Sequence, residues 1–273
     1  MSSLVETASL IGASRRFLSG DESAGESLWD LSVDEATAGV LLGECRIVEV
    51  VESVVFSSSA SAKQRLQEIG VGILANLRAQ KGGLWESRVP EVLFLSSFDP
   101  GTLGECLRYF AARYEACSKD TAEKILLIAE NSLDTQLVAK TFAFVVGLYP
   151  SDPELLDLGA GLFTATVDIL EDPSRRADLS TIDLHTFTNL PASGLDALLL
   201  FLLAYLQHDT RRPHNTNHNE HSSSSTERET IKIRTICEHI HTGDDYNGAE
   251  QHTAKTILEE LLSSSSLPPR RPP

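Results

Sequence analysis

Leu66, Ile69, Ile73, Leu74 and Leu77 lie on one apolar stripe at helical spacing, and the stripe runs straight through Gly70 and Gly72. Almost every periodic segment of the chain follows the same spacing, and convincing alternating strands are absent. Stripes of this kind can be buried only helix against helix, so the expected class is all-α. Gly70-x-Gly72-x-x-Ala75 also has the spacing of a dinucleotide-binding fingerprint. That motif needs an apolar strand delivering the loop to a helix N-terminus. Residues 61–69, SAKQRLQEI, are instead charged and helix-prone. The two glycines therefore read as places where another helix passes close, each at a helix-propensity cost of about 1 kcal/mol.

Helices are expected near residues 4–18, from near Val33, over CRIVEVVESVVF, over QRLQEIGVGILANLRA, and near 84–96, 101–117, 120–131, 134–148, 154–171 and 194–207. Ser32 and Glu35 have the S-x-x-E spacing of a capping box ahead of Val33. Asp99-Pro100, Asp120, Asp134 and Ser151-Asp152-Pro153 supply N-cap chemistry for later helices. The valines of CRIVEVVESVVF would also suit a strand on propensity alone. Asn76, Tyr109 and Phe144 align at steps of 33 and 35 residues, the range of armadillo and HEAT units.

The organisation read from these signals has five parts. Residues 1–26 form an N-terminal segment, a short helix followed by the acidic Gly/Ser stretch SGDESAGES. Residues 27–207 form a helical domain, and 208–230 a His/Asn/Ser-rich linker too polar to order itself. Residues 231–262 carry C-terminal helices, and 263–273 a Pro-rich tail, whose LPPRRPP resembles SH3 or WW ligands in composition.

The net charge of −16 makes the whole chain repel nucleic acid and anionic lipid, and its arginine pairs are scattered. The longest apolar run, ALLLFLLAYL, is about half of what a bilayer core needs, and reads as a buried helix led by Asp196. Cys45, Cys106, Cys117 and Cys237 form no CxxC pair, there is no N-x-S/T site, and the N-terminus lacks a basic n-region. These features predict an intracellular protein.

Candidate chemistry is sparse. His208, His214, His218 and His221 are imidazole ligands in type, but they sit in the linker with no ordered carboxylate or thiolate beside them. Cys237, His239, His241 and His252 match no standard zinc spacing. No G-x-S-x-G elbow occurs. The runs Ser57–Ser59, Ser222–Ser225 and Ser263–Ser266 read as flexible punctuation that could accept phosphate. No catalytic residue, cofactor, metal, small-molecule substrate, nucleic acid or membrane is expected.

Trp29-Asp30-Leu31-Ser32 and Asp34-Glu35, followed by Glu68-Ile69-Gly70-Val71-Gly72-Ile73-Leu74 and Asn76, resemble the SAAL (serum amyloid A-like) family. Weaker similarity continues through SSFDPGTLGECLRYF and returns in ASGLDALLLFLLAYL and ETIKIRTICEHI. The chain resembles a shortened member, with the loss between about residues 150 and 185 and without the family's aromatic-rich opening. The resemblance implies an armadillo-type helical fold and a non-enzymatic interaction protein of the cytoplasm or nucleus, in a family associated with cell proliferation. The combined expectation is an armadillo/HEAT-like right-handed superhelix of stacked repeats that binds a protein or peptide partner. Its groove positions would be Asn76, Arg108, Tyr109, Lys140 and Phe144. The alternatives are a structural subunit of a larger complex and a metal-dependent enzyme using the His-rich C-terminal region.

Overall fold

The computed structural model describes residues 2–57, 63–81, 87–113, 116–149, 151–185, 193–211 and 223–265. These residues form fifteen helices and one isolated β-bridge, Asp183 to Ser193, so the all-α class holds. The chain divides into two compact units, Met1–Glu115 and Ala116–Pro273, a division that falls inside the stretch read from sequence as one domain.

The first unit contains α1 (Ser2–Leu18), α2 (Glu22–Leu31), α3 (Glu35–Gly43), α4 (Ile47–Phe56), α5 (Lys63–Lys81), α6 (Val89–Ser96) and α7 (Pro100–Ala111). Pairs between α2 and α5 rise together along both helices. Glu26 meets Arg65 at 2.8 Å, Trp29 lies on Gly72, Ser32 accepts from Asn76 at 2.9 Å, and the Val33 carbonyl accepts from Gln80 at 2.9 Å. The same holds between α5 and α7, where Glu68 lies beside Gly101, Gly72 beside Arg108 and Arg78 beside Tyr109. Three helices thus run parallel, side by side, and residues 69–78 of the middle one are all buried.

The glycines of α5 do what the stripe predicted. A Cβ on Gly72 would stand 2.3 Å from Trp29 Cε2, and one on Gly70 would stand 3.0 Å from Val51 Cγ1 of α4. Omitting those side chains lets α2 and α4 close onto α5. The strand alternative for CRIVEVVESVVF falls, because Ile47, Val51, Val54 and Val55 are buried on one face of α4.

Two local expectations are corrected here. SGDESAGES is not a separator: Asp21 caps α2 by accepting from the Ala24 amide, and Ala24, Gly25 and Leu28 are buried, with Gly25 against Phe17 and Ile69. Ser32 does not open a capping box. It ends α2, its hydroxyl donating to the Trp29 carbonyl at 2.6 Å, and Asp34 caps α3 through the Thr37 amide.

The second unit contains α8 (Lys119–Asn131), α9 (Thr135–Leu148), α10 (Pro153–Asp157), α11 (Gly159–Glu171), α12 (Pro173–Ser180), α13 (Gly194–Arg211), α14 (Ser223–Thr242) and α15 (Gly248–Ser265). Ala139 lies beside Gly194, while the Phe142 and Tyr149 rings lie 5.5 and 5.3 Å from Phe201, so α9 and α13 are parallel. The Ser193 hydroxyl donates to Glu250 and the Thr253 hydroxyl to Asp196, so α13 and α15 are parallel too. The helix expected over 154–171 is broken at Leu158, and α12, begun by Asp172-Pro173, was not anticipated. Helices α13 and α14 invade both ends of the expected linker, leaving residues 212–222, with His214, His218 and His221, outside the described residues. Helix α15 runs on through Ser263 to Ser265, and the LPPRRPP tail lies outside the described residues.

One corner recurs. Ser32-Val33-Asp34, Ser97-Phe98-Asp99 and Ser132-Leu133-Asp134 each join two helices, the serine as C-cap of the first and the aspartate as N-cap of the second. The aspartates accept from the amides of Thr37, Thr102 and Leu137 at 2.8, 2.8 and 2.7 Å. The residue between is exposed each time: Val33 57%, Phe98 84%, Leu133 91%.

Candidate functional site

Of the five expected groove positions, Asn76, Arg108 and Tyr109 lie in the first unit and meet around α5. The Asn76 amide donates to the Ser32 hydroxyl at 2.9 Å and to the Trp29 carbonyl at 3.1 Å. Its oxygen accepts from Arg108 Nη1. Arg108 also donates to the Gly72 carbonyl at 3.1 Å and, through Nε, to Glu105 at 2.7 Å. One amide therefore ties α2 to α7 across α5, satisfying a carbonyl at the end of α2 that has no intrahelical donor of the ordinary kind. The Arg78 guanidinium lies 4.2 Å from the centre of the Tyr109 ring, a cation–π contact. Phe110 stacks edge-on against Phe94 of α6 at 5.5 Å.

Burial bears on the expected groove positions. Asn76 and Tyr109 are only 6% and 2% exposed, so a peptide reaches them only by prising packed helices apart. Phe144, in the second unit, is buried in α9, and Lys140 on the same helix is half-buried. Arg108 keeps partial access but is already engaged by Glu105, Asn76 and Gly72. Asn76, Arg108 and Tyr109 hold α2, α5 and α7 together.

The second unit has its own polar tie, which sequence reasoning missed. Glu250, fully buried at the start of α15, accepts from the Ser193 hydroxyl at 2.6 Å and from the Asn247 amide at 3.0 Å. Asp196, at the start of α13, accepts from Thr253 at 2.9 Å. Burial pushes the Glu250 carboxyl up, with Asp196 adding to the push, while the Ser193 and Asn247 hydrogen bonds oppose it. The available signals were the Ser193-x-x-Asp196 and Asn247-x-x-Glu250 spacings, which put a capping side chain and a first-turn carboxylate at the start of each helix.

Several large apolar side chains are exposed at the margins. Val92 and Leu95 share an exposed face of α6, with Phe98 at the following corner, and Leu127 and Leu133 take the equivalent places on α8 and its corner. Leu31 and Val33 are exposed at the α2–α3 corner.

The thiols are poor nucleophiles. Burial raises Cys45, lifts Cys106 well above the usual range, and pushes Cys117 and Cys237 up to about 12, with Asp152 and Glu238 respectively adding charge repulsion. His239 packs edge-on against Tyr246, 5.9 Å between ring centres, and His208 against Tyr149 at 6.0 Å. Among the described residues, no group of three or more His, Cys, Asp or Glu side chains is placed to hold a metal ion, and no helix is long and apolar enough to cross a membrane. Comparison of the chain with protein-family models and with curated proteins finds no match.

Proposed function

We propose that the chain is a non-catalytic, SAAL-like scaffold or adaptor, built as an armadillo/HEAT-like right-handed superhelix, that binds a partner protein in the cytoplasm or nucleus, in a role linked to cell proliferation. The observation that carries this reading is the repeated plan of the two units. In each, three helices contributed by successive parts of the chain lie parallel, α2–α5–α7 and α9–α13–α15, and that is how stacked helical repeats bury their apolar faces against neighbours. The exposed apolar tips at Val33, Phe98 and Leu133 support it further, because they stand on capped corners where burial by the chain itself is not required. The free cysteines are in keeping with a reducing compartment. Binding moves from the buried Asn76 cluster to these outer surfaces.

The test is cross-linking mass spectrometry on the tagged full-length chain purified from native cells. A reproducible partner, cross-linked beside these corners or α6, is the expected result. Recovery of the chain alone at every attempt overturns the scaffold reading.

A further inference from the structure

Ser19 stands exposed at the corner between α1 and α2, in a run whose charges divide around it: Arg15-Arg16 before, Asp21-Glu22 after. The backbone here is not helical. Gly20 holds a φ of 93°, and Asp21 is extended as the N-cap of α2. A Cβ built on Gly20 would meet nothing within 4 Å, so the outer side of the corner is open. The exposed hydroxyls of Ser23 and Ser27 lie inside α2, donating to Asp21 and to the Ser23 carbonyl.

The Ser19 hydroxyl donates to the Arg16 carbonyl at 2.7 Å. That carbonyl also accepts from the Ser19 and Asp21 amides, at 3.0 and 3.1 Å, so losing the hydroxyl proton leaves it paired. Arg15 is exposed and forms no hydrogen bond or ion pair among the described residues, and Arg16 reaches Asp21 at 3.5 Å. Both lie one turn of chain before Ser19, at spacings of four and three residues that bring side chains together. Glu22, three residues after Ser19, is exposed and likewise in no ion pair among the described residues.

We propose that Ser19 is a phosphorylation site for a serine kinase that reads carboxylates after the acceptor, and that Arg15 and Arg16 receive the phosphate. The Ser19 oxygen attacks the γ-phosphorus of ATP, the bond from that phosphorus to the β–γ bridging oxygen breaks, and ADP leaves. The hydroxyl proton passes to the kinase's catalytic base. Glu22 and Asp21 supply the charge that a basic substrate groove pairs with. The new group carries a charge of about −1.5 to −2 and three acceptor oxygens, which guanidinium forks match. The C-terminal end of the α1 dipole and Asp21 oppose it, and two cations, one of them unengaged, outweigh them. A kinase that reads arginines before the acceptor is disfavoured, because Arg15 and Arg16 lie in the last turn of α1 and Phe17, next to them, is fully buried. The site stands whether or not a partner binds elsewhere on the chain.

The probes are ATP with casein kinase II, whose groove selects a carboxylate three residues after the acceptor, and ATP with cAMP-dependent protein kinase, which selects arginines before it. Each is incubated with the full-length chain, and the modified residues are mapped by tandem mass spectrometry. Phosphate on Ser19, placed faster by casein kinase II, is expected. Glu22→Gln should slow that modification about tenfold, the worth of one charge contact in the kinase complex. By phosphorus NMR, phosphorylated Ser19 should titrate at a lower pH in the otherwise unchanged chain than in Arg15→Gln/Arg16→Gln, because the guanidiniums favour its doubly charged form. Circular dichroism melts verify the fold of the variants, whose changes are all at exposed positions. Ser19 left unmodified, faster modification by cAMP-dependent protein kinase, or an unchanged rate in Glu22→Gln overturns the kinase assignment. A phosphate that titrates at the same pH in both proteins overturns the role of the arginines.

Discussion

The indole of Trp29 lies against Gly72 so closely that a Cβ there would stand 2.3 Å from Trp29 Cε2. The same ring also carries the Arg65 guanidinium, 5.7 Å from its centre. Gly72→Ala should therefore lose about 1–3 kcal/mol to overpacking, despite its better helix propensity. Gly39 of α3 has nothing within 4 Å of the same built atom, so Gly39→Ala should gain up to about 1 kcal/mol. Urea unfolding of the two variants checks the contrast, and midpoints shifting in one direction together would contradict it.

Asn76 acts inside the fold. Asn76→Ala withdraws the donor shared by Ser32 and Trp29 and the acceptor of Arg108, and should cost about 1–3 kcal/mol. Partner affinity, measured well below the unfolding temperature, should stay at the wild-type value. A variant of normal stability with lost binding would restore Asn76 to an open groove.

Tyr109 gives a sharper case. Its hydroxyl accepts a long hydrogen bond, 3.4 Å from the Ser87 amide, while its ring is buried beneath Arg78. Tyr109→Phe should cost under about 1 kcal/mol and Tyr109→Ala about 3–5 kcal/mol. Equal losses from the two would show that the hydroxyl, not the ring, matters.

The class and the α5 stripe were legible in the sequence because they depend on spacing within one helix. Gly70 and Gly72 could be read as close approaches because an unbroken apolar stripe leaves a missing side chain few other uses. The exposure of Asn76, Tyr109 and Phe144 could not be read, since the helices that cover them come from distant segments of the chain. Ser32 was misassigned for a local reason: Asp34, two residues on, is the stronger acceptor and takes the N-cap, which leaves Ser32 to close α2. Helix α2 was itself hidden, because Glu22 and Glu26 mask a stripe as short as Ala24 and Leu28. The exposed tips at Phe98 and Leu133 carry no periodic signal at all.

Glu250 predicts a pH dependence. Its folded value lies above the ordinary 4.5, raised by burial. A group shifted in that direction contributes stability that is full below its unfolded value and lost as pH rises through the folded one. Glu250→Gln removes the loss, so its stability relative to wild type should climb as pH rises from the ordinary carboxyl range through the raised folded value. Parallel curves for the two proteins across that window, followed by chemical unfolding, would show that Glu250 does not titrate in this way.

Cys117 is half-buried yet held at about 12, first by burial and then by Asp152 and Glu154. Its alkylation by iodoacetamide at about pH 8 should be far slower in the native chain than in urea, where the ordinary thiol value of about 8.5 returns. Asp152→Asn should quicken it by removing one of the two charges. Native and unfolded rates that match, read by mass spectrometry, would contradict this account.

The parallel layers also set an order of events on the ribosome. The tie from Asn76 to Trp29 closes over 47 residues, so the α2 side of α5 can be sealed as soon as α5 emerges. The tie from Arg108 to Gly72 closes over 36 residues, so until α7 follows, the long buried stretch of α5 stands bare along one flank. A translational pause between α5 and α7 exposes that flank, and there a nascent-chain chaperone has most to protect.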